Sequence, residues 1–296
     1  MRLDRRTPVN RVLVIVAALV AAAAVLLVAG HLAPTGEPPS RVFGRDVIRI
    51  GYAVEPPYAF LADDGGVTGE SPEMARQIAR RLGIARTQWV QTAFSDLIRD
   101  LVAGRIDVIA AGMFITPERA TQVLFSDPTF RVRQDLLVRT GNPRNLHSYE
   151  DVVADRDARI AVISGAIEET VLLAEGLPRA RLLSVPDALT GWVAVASGAV
   201  DGLALSSLSI RWMARASDRA RVETAEPFAQ PSNAVAGRLG YGAFAFRPGD
   251  VALRDAWNGV LHAFVGSEEH LRLVARFGFT AAELPGHVTA AEILAR

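Results

Sequence analysis

The chain has 296 residues, half of them hydrophobic, and its 32 basic and 32 acidic side chains cancel to a net charge of zero. That length suits one large or two medium cores, and the neutral balance gives no compositional signature of a nucleic-acid partner. The absence of cysteine excludes disulfides, thiolate metal sites, cysteine nucleophiles and a lipid anchor on a new terminal cysteine. Every basic side chain is arginine, which reads as coding bias rather than function.

The first element is an export signal. Arg2, Arg5, Arg6 and Arg11 precede an unbroken apolar run from Val12 to Ala29, followed by the polar, Pro-rich stretch "GHLAPTGEPPS". As a helix the run would cover roughly 27 Å, so residues 1–33 read as either a cleaved signal peptide or a retained signal anchor, with 34–45 a linker. Either way the rest of the protein is expected outside the cytoplasmic membrane, in the periplasm or on the outer membrane face.

Short apolar runs then alternate with helical patterns, the pattern of an α/β fold with largely parallel sheet. "DVIRIGY" predicts a first strand. "SPEMARQIARRLG" predicts a helix capped by Ser71 with Pro72 at its first position and Met74, Ile78 and Leu82 on one face. "TQWVQ" is a second strand, "SDLIRDLVAGRID" a helix that Ser95 caps and Gly104 ends, "VIAAGMF" a third strand and "QDLLVRT" a fourth.

The plan then restarts. "RIAVI", "RLLSV" and "DGLALS" read as strands and "SGAIEETVLLAEGL" and "DALTGWVAVASG" as turn-plus-helix segments; "LVAGRIDVIAAG" is echoed by "VASGAVDGLALS". "GYGAFAFRPGD" reads as a returning strand before two closing helices. The expected architecture is therefore two α/β lobes, with the first running over 46–139, the second over 140–236, and the chain returning to the first lobe over 237–296. Two hinge crossings imply a ligand cleft between the lobes.

Candidate site residues lie where strands end and loops begin. Arg119 follows Thr116, a plausible N-cap, and a guanidinium there could grip a carboxylate through charged bonds of roughly 1.5 to 3 kcal/mol each; its plain alternative is a surface arginine. Tyr58, Phe94 and Phe114 follow three consecutive strands, either as core residues or as rings around a cation, each contributing about 0.5 to 2 kcal/mol. Glu55 could supply negative charge to the same cation or stay a solvated loop carboxylate. Glu168 and Glu169 occupy a helix first turn, where the macrodipole favours them with or without a ligand. The five histidines, at 31, 147, 262, 270 and 287, are scattered without ligand spacing, so no metal is expected; no phosphate loop or catalytic triad pattern calls for a cofactor or a catalytic residue.

The phrases "GYAVEPPYAF", "GVTGESPEMARQIARRLG", "AGRIDVIAAGMFITPERATQVLFSDP" and "GYGAFAFRPGDVALRDAWN" resemble the extracytoplasmic solute-binding proteins of family 3, the receptors of ABC importers for polar amino acids and related compounds. The resemblance covers roughly Asp46 to Pro285. It implies a two-lobed periplasmic-binding-protein-like fold of type II, a monomer that closes on its ligand and meets membrane permease subunits, with Arg119 as carboxylate clamp. Within the family the chain is similar to the branch that binds ectoine and hydroxyectoine. That similarity implies a small zwitterionic ligand, with Tyr58, Phe94 and Phe114 caging its cyclic amidinium, Glu55 bonding its ring N–H groups and Glu168 contacting it from the second lobe. Three departures stand out: Phe114 where amino-acid receptors of the family commonly carry a small or hydroxyl residue, Ser206 where they commonly carry an aspartate for the α-ammonium, and Ile167 beside Glu168. A polar amino-acid receptor is the alternative. A few members of the fold are dehydratases, for which Glu55 or Glu168 would be the acid, but no second acid/base partner is evident, so binding without turnover is expected.

Overall fold

The computed structural model describes residues 47–216, 221–233 and 240–296. The expected export segment, the expected linker and the return point expected at 236/237 lie outside these residues. Among the described residues no helix is long and apolar enough to cross a membrane.

The chain opens with β1 (Val47–Tyr52), the short hairpin β2 (Phe60–Leu61) and β3 (Val67–Thr68), then α1 (Glu70–Arg81) and β4 (Arg86–Gln91). A 3₁₀ turn at Phe94–Asp96 feeds α2 (Leu97–Val102), followed by β5 (Val108–Ile109), α3 (Pro117–Ala120), β6 (Leu124–Phe125) and β7 (Phe130–Arg131). Next come β8 (Gln134–Arg139), α4 (Tyr149–Ala154), β9 (Ile160–Ile163), α5 (Ile167–Ala174), β10 (Leu182–Val185) and α6 (Ala188–Ala196). After β11 (Gly202–Ser206), α7 (Ser207–Ala216) and β12 (Val222–Thr224), the chain closes with β13 (Tyr241–Gly242), β14 (Ala245–Phe246), α8 (Val251–Phe264), α9 (Glu268–Ala275) and α10 (Ala290–Leu294).

These strands form two five-stranded sheets, ordered β4-β1-β5-β14-β6 and β10-β9-β11-β8-β12. In each, three consecutive strands run parallel and later or earlier strands add antiparallel at one side. Ile48 and Ile50 of β1 pack with Met74 and Ile78 of α1 and Trp257 of α8 in one buried cluster. Each such side chain contributes about 1.5 to 3 kcal/mol of burial, which is what makes the alternating apolar pattern decide the layers.

The sequence echo has a structural counterpart. Asp107, ahead of β5, accepts the backbone N–H of Arg49 at 3.0 Å, and Asp201, ahead of β11, accepts that of Arg159 at 2.9 Å. Each aspartate thus ties its strand to the neighbouring parallel strand at the same place in its lobe.

Three local expectations change. The strand "QDLLVRT" does not close the first lobe: β8 pairs antiparallel with β11 and β12 and belongs to the second sheet. The first lobe therefore ends before 134 rather than at Arg139, and the crossing is the ribbon in which β7 pairs with β13. Ser71 is not the cap of α1, which starts at Glu70 after Gly69; its hydroxyl instead donates to Glu70 and accepts from the N–H of Gly112. Ser95 does not cap a continuous helix, because it sits within the 3₁₀ turn ahead of α2.

Candidate ligand-binding cleft

Loops at the carboxyl ends of β1, β4 and β5 face the start of α5 and the end of β11 across a tight cleft with about 20 Å³ of free space. Glu55, Tyr58, Phe94, Phe114, Arg119 and Glu168 all line it, together with Gly112, Ala166, Ile167 and Ser206.

Arg119 is brought there by α3, whose N-cap Thr116 accepts the Arg119 backbone N–H at 3.2 Å. Its guanidinium donates to the carbonyl of Phe114 at 2.9 Å and, across the cleft, to the carbonyl of Gly165 at 2.9 Å. It also lies over the ring of Phe94, 5.4 Å from the centroid. Two of its five donors are thereby fixed, and the fork is oriented with donors left for an anion. Burial lowers its pKa to about 10, so it stays cationic at neutral pH.

The aromatic wall is deeper than three rings. Tyr58 is 2% exposed and stacks on Phe130 of β7 with centroids 4.9 Å apart; Phe114 meets the same ring edge-on at 6.3 Å. Phe114 is not in a strand. It sits beyond β5 and bridges to Gly242 of β13, so the cavity wall and the crossing ribbon share residues. Two glycines make the approach possible: a Cβ on Gly112, at φ 64°, would lie 2.6 Å from the Tyr58 ring, and one on Gly242 would lie 1.9 Å from the Phe130 ring. Phe94 is only half-buried and packs against clusters of both lobes.

The polar groups are tied across the cleft. Tyr58 donates to Ser206 Oγ at 2.8 Å, and Ser209 Oγ donates to Glu55 Oε1 at 2.7 Å. Burial raises Glu55 to about 7 against the opposing Ser209 bond and Arg119 charge. Burial also raises Glu168 to about 7, helped by the Glu55 carboxylate and opposed by its own backbone N–H and Arg119. Glu169, by contrast, pairs outward with Arg179 at 2.7 Å.

Phe130, Ser209 and the Gly165 carbonyl were not evident in the sequence. Phe130 lies on a crossing strand rather than at a strand end, and Gly165 contributes only backbone. Ser209 had a faint signal in "SSLS", a serine cluster directly after the β11 strand end. Among the described residues no group of three or more His, Asp or Glu could hold a metal ion.

Two sheets joined by a crossing ribbon, with a guanidinium, two acids and aromatic rings converging between them, define a two-lobed binding protein. Residues 48–280 match the bacterial extracellular solute-binding proteins, family 3, and the chain belongs to that family. It is 36% identical over 242 residues to the probable amino-acid ABC transporter periplasmic-binding protein y4tE of Sinorhizobium fredii, covering 80% of this chain and 79% of that one. The crystal structure of EhuB in complex with hydroxyectoine superposes with a TM-score of 0.77 at 32% identity, over 88% of this chain and 100% of the other. The cyclohexadienyl dehydratase of Pseudomonas aeruginosa is 24% identical over 59% of this chain and 65% of its own. Family membership makes the protein the small-ligand receptor of an ABC importer, working with a permease outside the cytoplasm.

Proposed function

We propose that the ligand is a small zwitterion whose cation is delocalised over a ring, of the ectoine or hydroxyectoine type. One observation carries this: a single guanidinium, a buried carboxylate and three aromatic side chains of the first lobe line one cleft with a buried carboxylate of the second. Arg119 takes the ligand carboxylate, Tyr58, Phe94 and Phe114 face its cation, and Glu55 and Glu168 compensate that charge from opposite lobes. The likeness to EhuB supports the reading. A primary ammonium fits less well, because Ser206 is neutral and its hydroxyl already accepts from Tyr58; that pair weighs against a polar α-amino acid, the reading that the y4tE likeness favours.

The protein binds without turnover in this reading, as a monomer exported by residues 1–33 and held or released according to whether that segment is cleaved. Calorimetry against ectoine, hydroxyectoine, glycine betaine, proline and a set of polar amino acids tests it. Micromolar binding of ectoine or hydroxyectoine, about 8 kcal/mol, is expected. Tight binding of an α-amino acid with no ectoine signal would refute the cage, and formation of an aromatic product from prephenate or arogenate would refute the receptor assignment.

A further inference from the structure

A chain of hydroxyls crosses the cleft and ends on Glu55. Tyr58 donates to Ser206 Oγ at 2.8 Å, Ser206 Oγ donates to Ser209 Oγ at 3.4 Å, and Ser209 Oγ donates to Glu55 Oε1 at 2.7 Å. Both serines are buried, and they stand at the start of α7, where Ser206 Oγ also accepts the Ser209 backbone N–H at 3.4 Å. Proton counting fixes the direction of the chain. An ionised carboxylate only accepts, so Ser209 gives its proton to Glu55, its oxygen is left to accept from Ser206, and that of Ser206 to accept from Tyr58. Ser206 is thereby fully engaged, and the negative charge that the chain serves sits on the opposite lobe. The backbone of Glu55 is fixed independently: its N–H donates to the Ala59 carbonyl at 2.8 Å, and its own carbonyl accepts from Tyr58 at 2.9 Å and from Ala59 at 3.1 Å. What that turn leaves open is the direction of the carboxylate, and the bond from Ser209 sets it.

We propose that Ser209 is a positioning residue for the cleft: its hydroxyl, on the second lobe, holds the Glu55 carboxylate of the first, so that the carboxylate takes its ligand-facing direction as the lobes meet. The proposal rests on the reading that Glu55 faces the ligand cation. Ser209 stands behind the cleft lining and acts through Glu55 rather than on the solute. Arg119 from α3 and Glu168 from α5 also face Glu55, and Tyr58 lies in its own turn. Those charges govern how much of the carboxylate is ionised, whereas a hydrogen bond favours the ionised form and also fixes its orientation, without adding net charge. Because the donor belongs to the other lobe, closure and the alignment of the carboxylate are one event.

The test uses the full chain and the variants Ser209→Ala, Ser209→Thr and Glu55→Ala. Side-chain ¹³C NMR of the ligand-free protein follows the glutamate carboxyls, with Glu55→Ala assigning the Glu55 signal. Loss of the donor in Ser209→Ala is expected to move the Glu55 midpoint upward by about half to one pH unit, while Ser209→Thr, which keeps a hydroxyl, holds the native midpoint. Calorimetry with ectoine at pH 8 is expected to show affinity reduced about tenfold in Ser209→Ala, and no further loss when Ser209→Ala is added to Glu55→Ala, because the two side chains act as one unit. An unchanged Glu55 midpoint in a folded Ser209→Ala overturns the proposal, and so does an affinity loss equally large in the Glu55→Ala background. If Ser209→Ala does not fold, Ser209→Cys, whose thiol is a weak donor, is judged by the same two measurements. Unaltered ectoine affinity in Glu55→Ala would instead overturn the ligand reading, while the NMR midpoint still decides the role of Ser209.

Discussion

Phe114 and Arg119 lie five positions apart and are joined by one bond, the guanidinium donating to the Phe114 carbonyl. The same phenylalanine packs edge-on against Phe130 and is 5% exposed, so it is both core and wall. Phe114→Ala is expected to weaken ligand binding by about 1 to 3 kcal/mol and to lower the melting temperature as well; calorimetric affinity separates the two, and unchanged affinity would leave it a core residue only. Arg119→Lys is expected to cost more than tenfold in affinity for a carboxylate ligand, because an ammonium offers neither the planar fork nor the stack on Phe94. Burial holds Glu55, Glu70 and Glu168 at about 7, above the 4.5 of an ordinary glutamate. The ligand-free folded chain binds those protons more tightly than the unfolded chain. Their contribution to its stability is therefore fully present below pH 4.5 and is lost as pH rises through 7. Glu55→Gln should accordingly melt higher than the native chain at pH 8 and about equally at pH 5, by scanning calorimetry of the ligand-free protein. Its loss of affinity for a cationic ligand should be largest at pH 8, where the native carboxylate is ionised, and smallest at pH 5. The native chain should bind that ligand more tightly as pH rises from 5 to 8.

Element by element, the sequence was readable where one face of a helix or strand is buried and unreadable where pairing is decided at a distance. Met74 and Ile78 lie one turn apart and both are fully buried under the first sheet, so α1 follows from spacing alone. Asp107 and Asp201 stand at matching places in the two halves, and the echo between them was visible as a string of letters before it was visible as paired strands. The strand at 134–139 is another matter: its buried, apolar composition fits either sheet, and only its partners β11 and β12 place it in the second lobe. The six proposed site residues were legible because they follow strand ends, whereas Phe130 was not, since a crossing strand carries no loop signal. Gly242 gives the ribbon its own test. Gly242→Ala puts a methyl group into the Phe130 ring, and overpacking of about 1 to 3 kcal/mol should appear as a lower melting temperature that Phe130→Leu in the same chain partly restores.

Across the whole molecule the lobes are held face to face by direct bonds: Tyr58 to Ser206, Ser209 to Glu55 and Arg119 to Gly165. At the rim Phe60 meets Trp212 at 5.4 Å and Arg211 reaches Glu283 at 3.4 Å. Removing hydroxyls from the central set, as in Tyr58→Phe with Ser209→Ala, should shift the ligand-free protein toward an open shape, seen as a larger radius of gyration in small-angle scattering, while saturating ligand restores the closed value. The stack of Tyr58 on Phe130 has a consequence for time rather than for affinity. If Tyr58 faces the ligand as proposed, the ring it rests on belongs to the strand that joins the lobes, so a departing solute would disturb that junction. On that reading the dwell of a captured molecule would be set one layer behind the surface that recognises it, and Phe130→Leu is expected to speed release in stopped-flow measurements more than it changes the rate of capture.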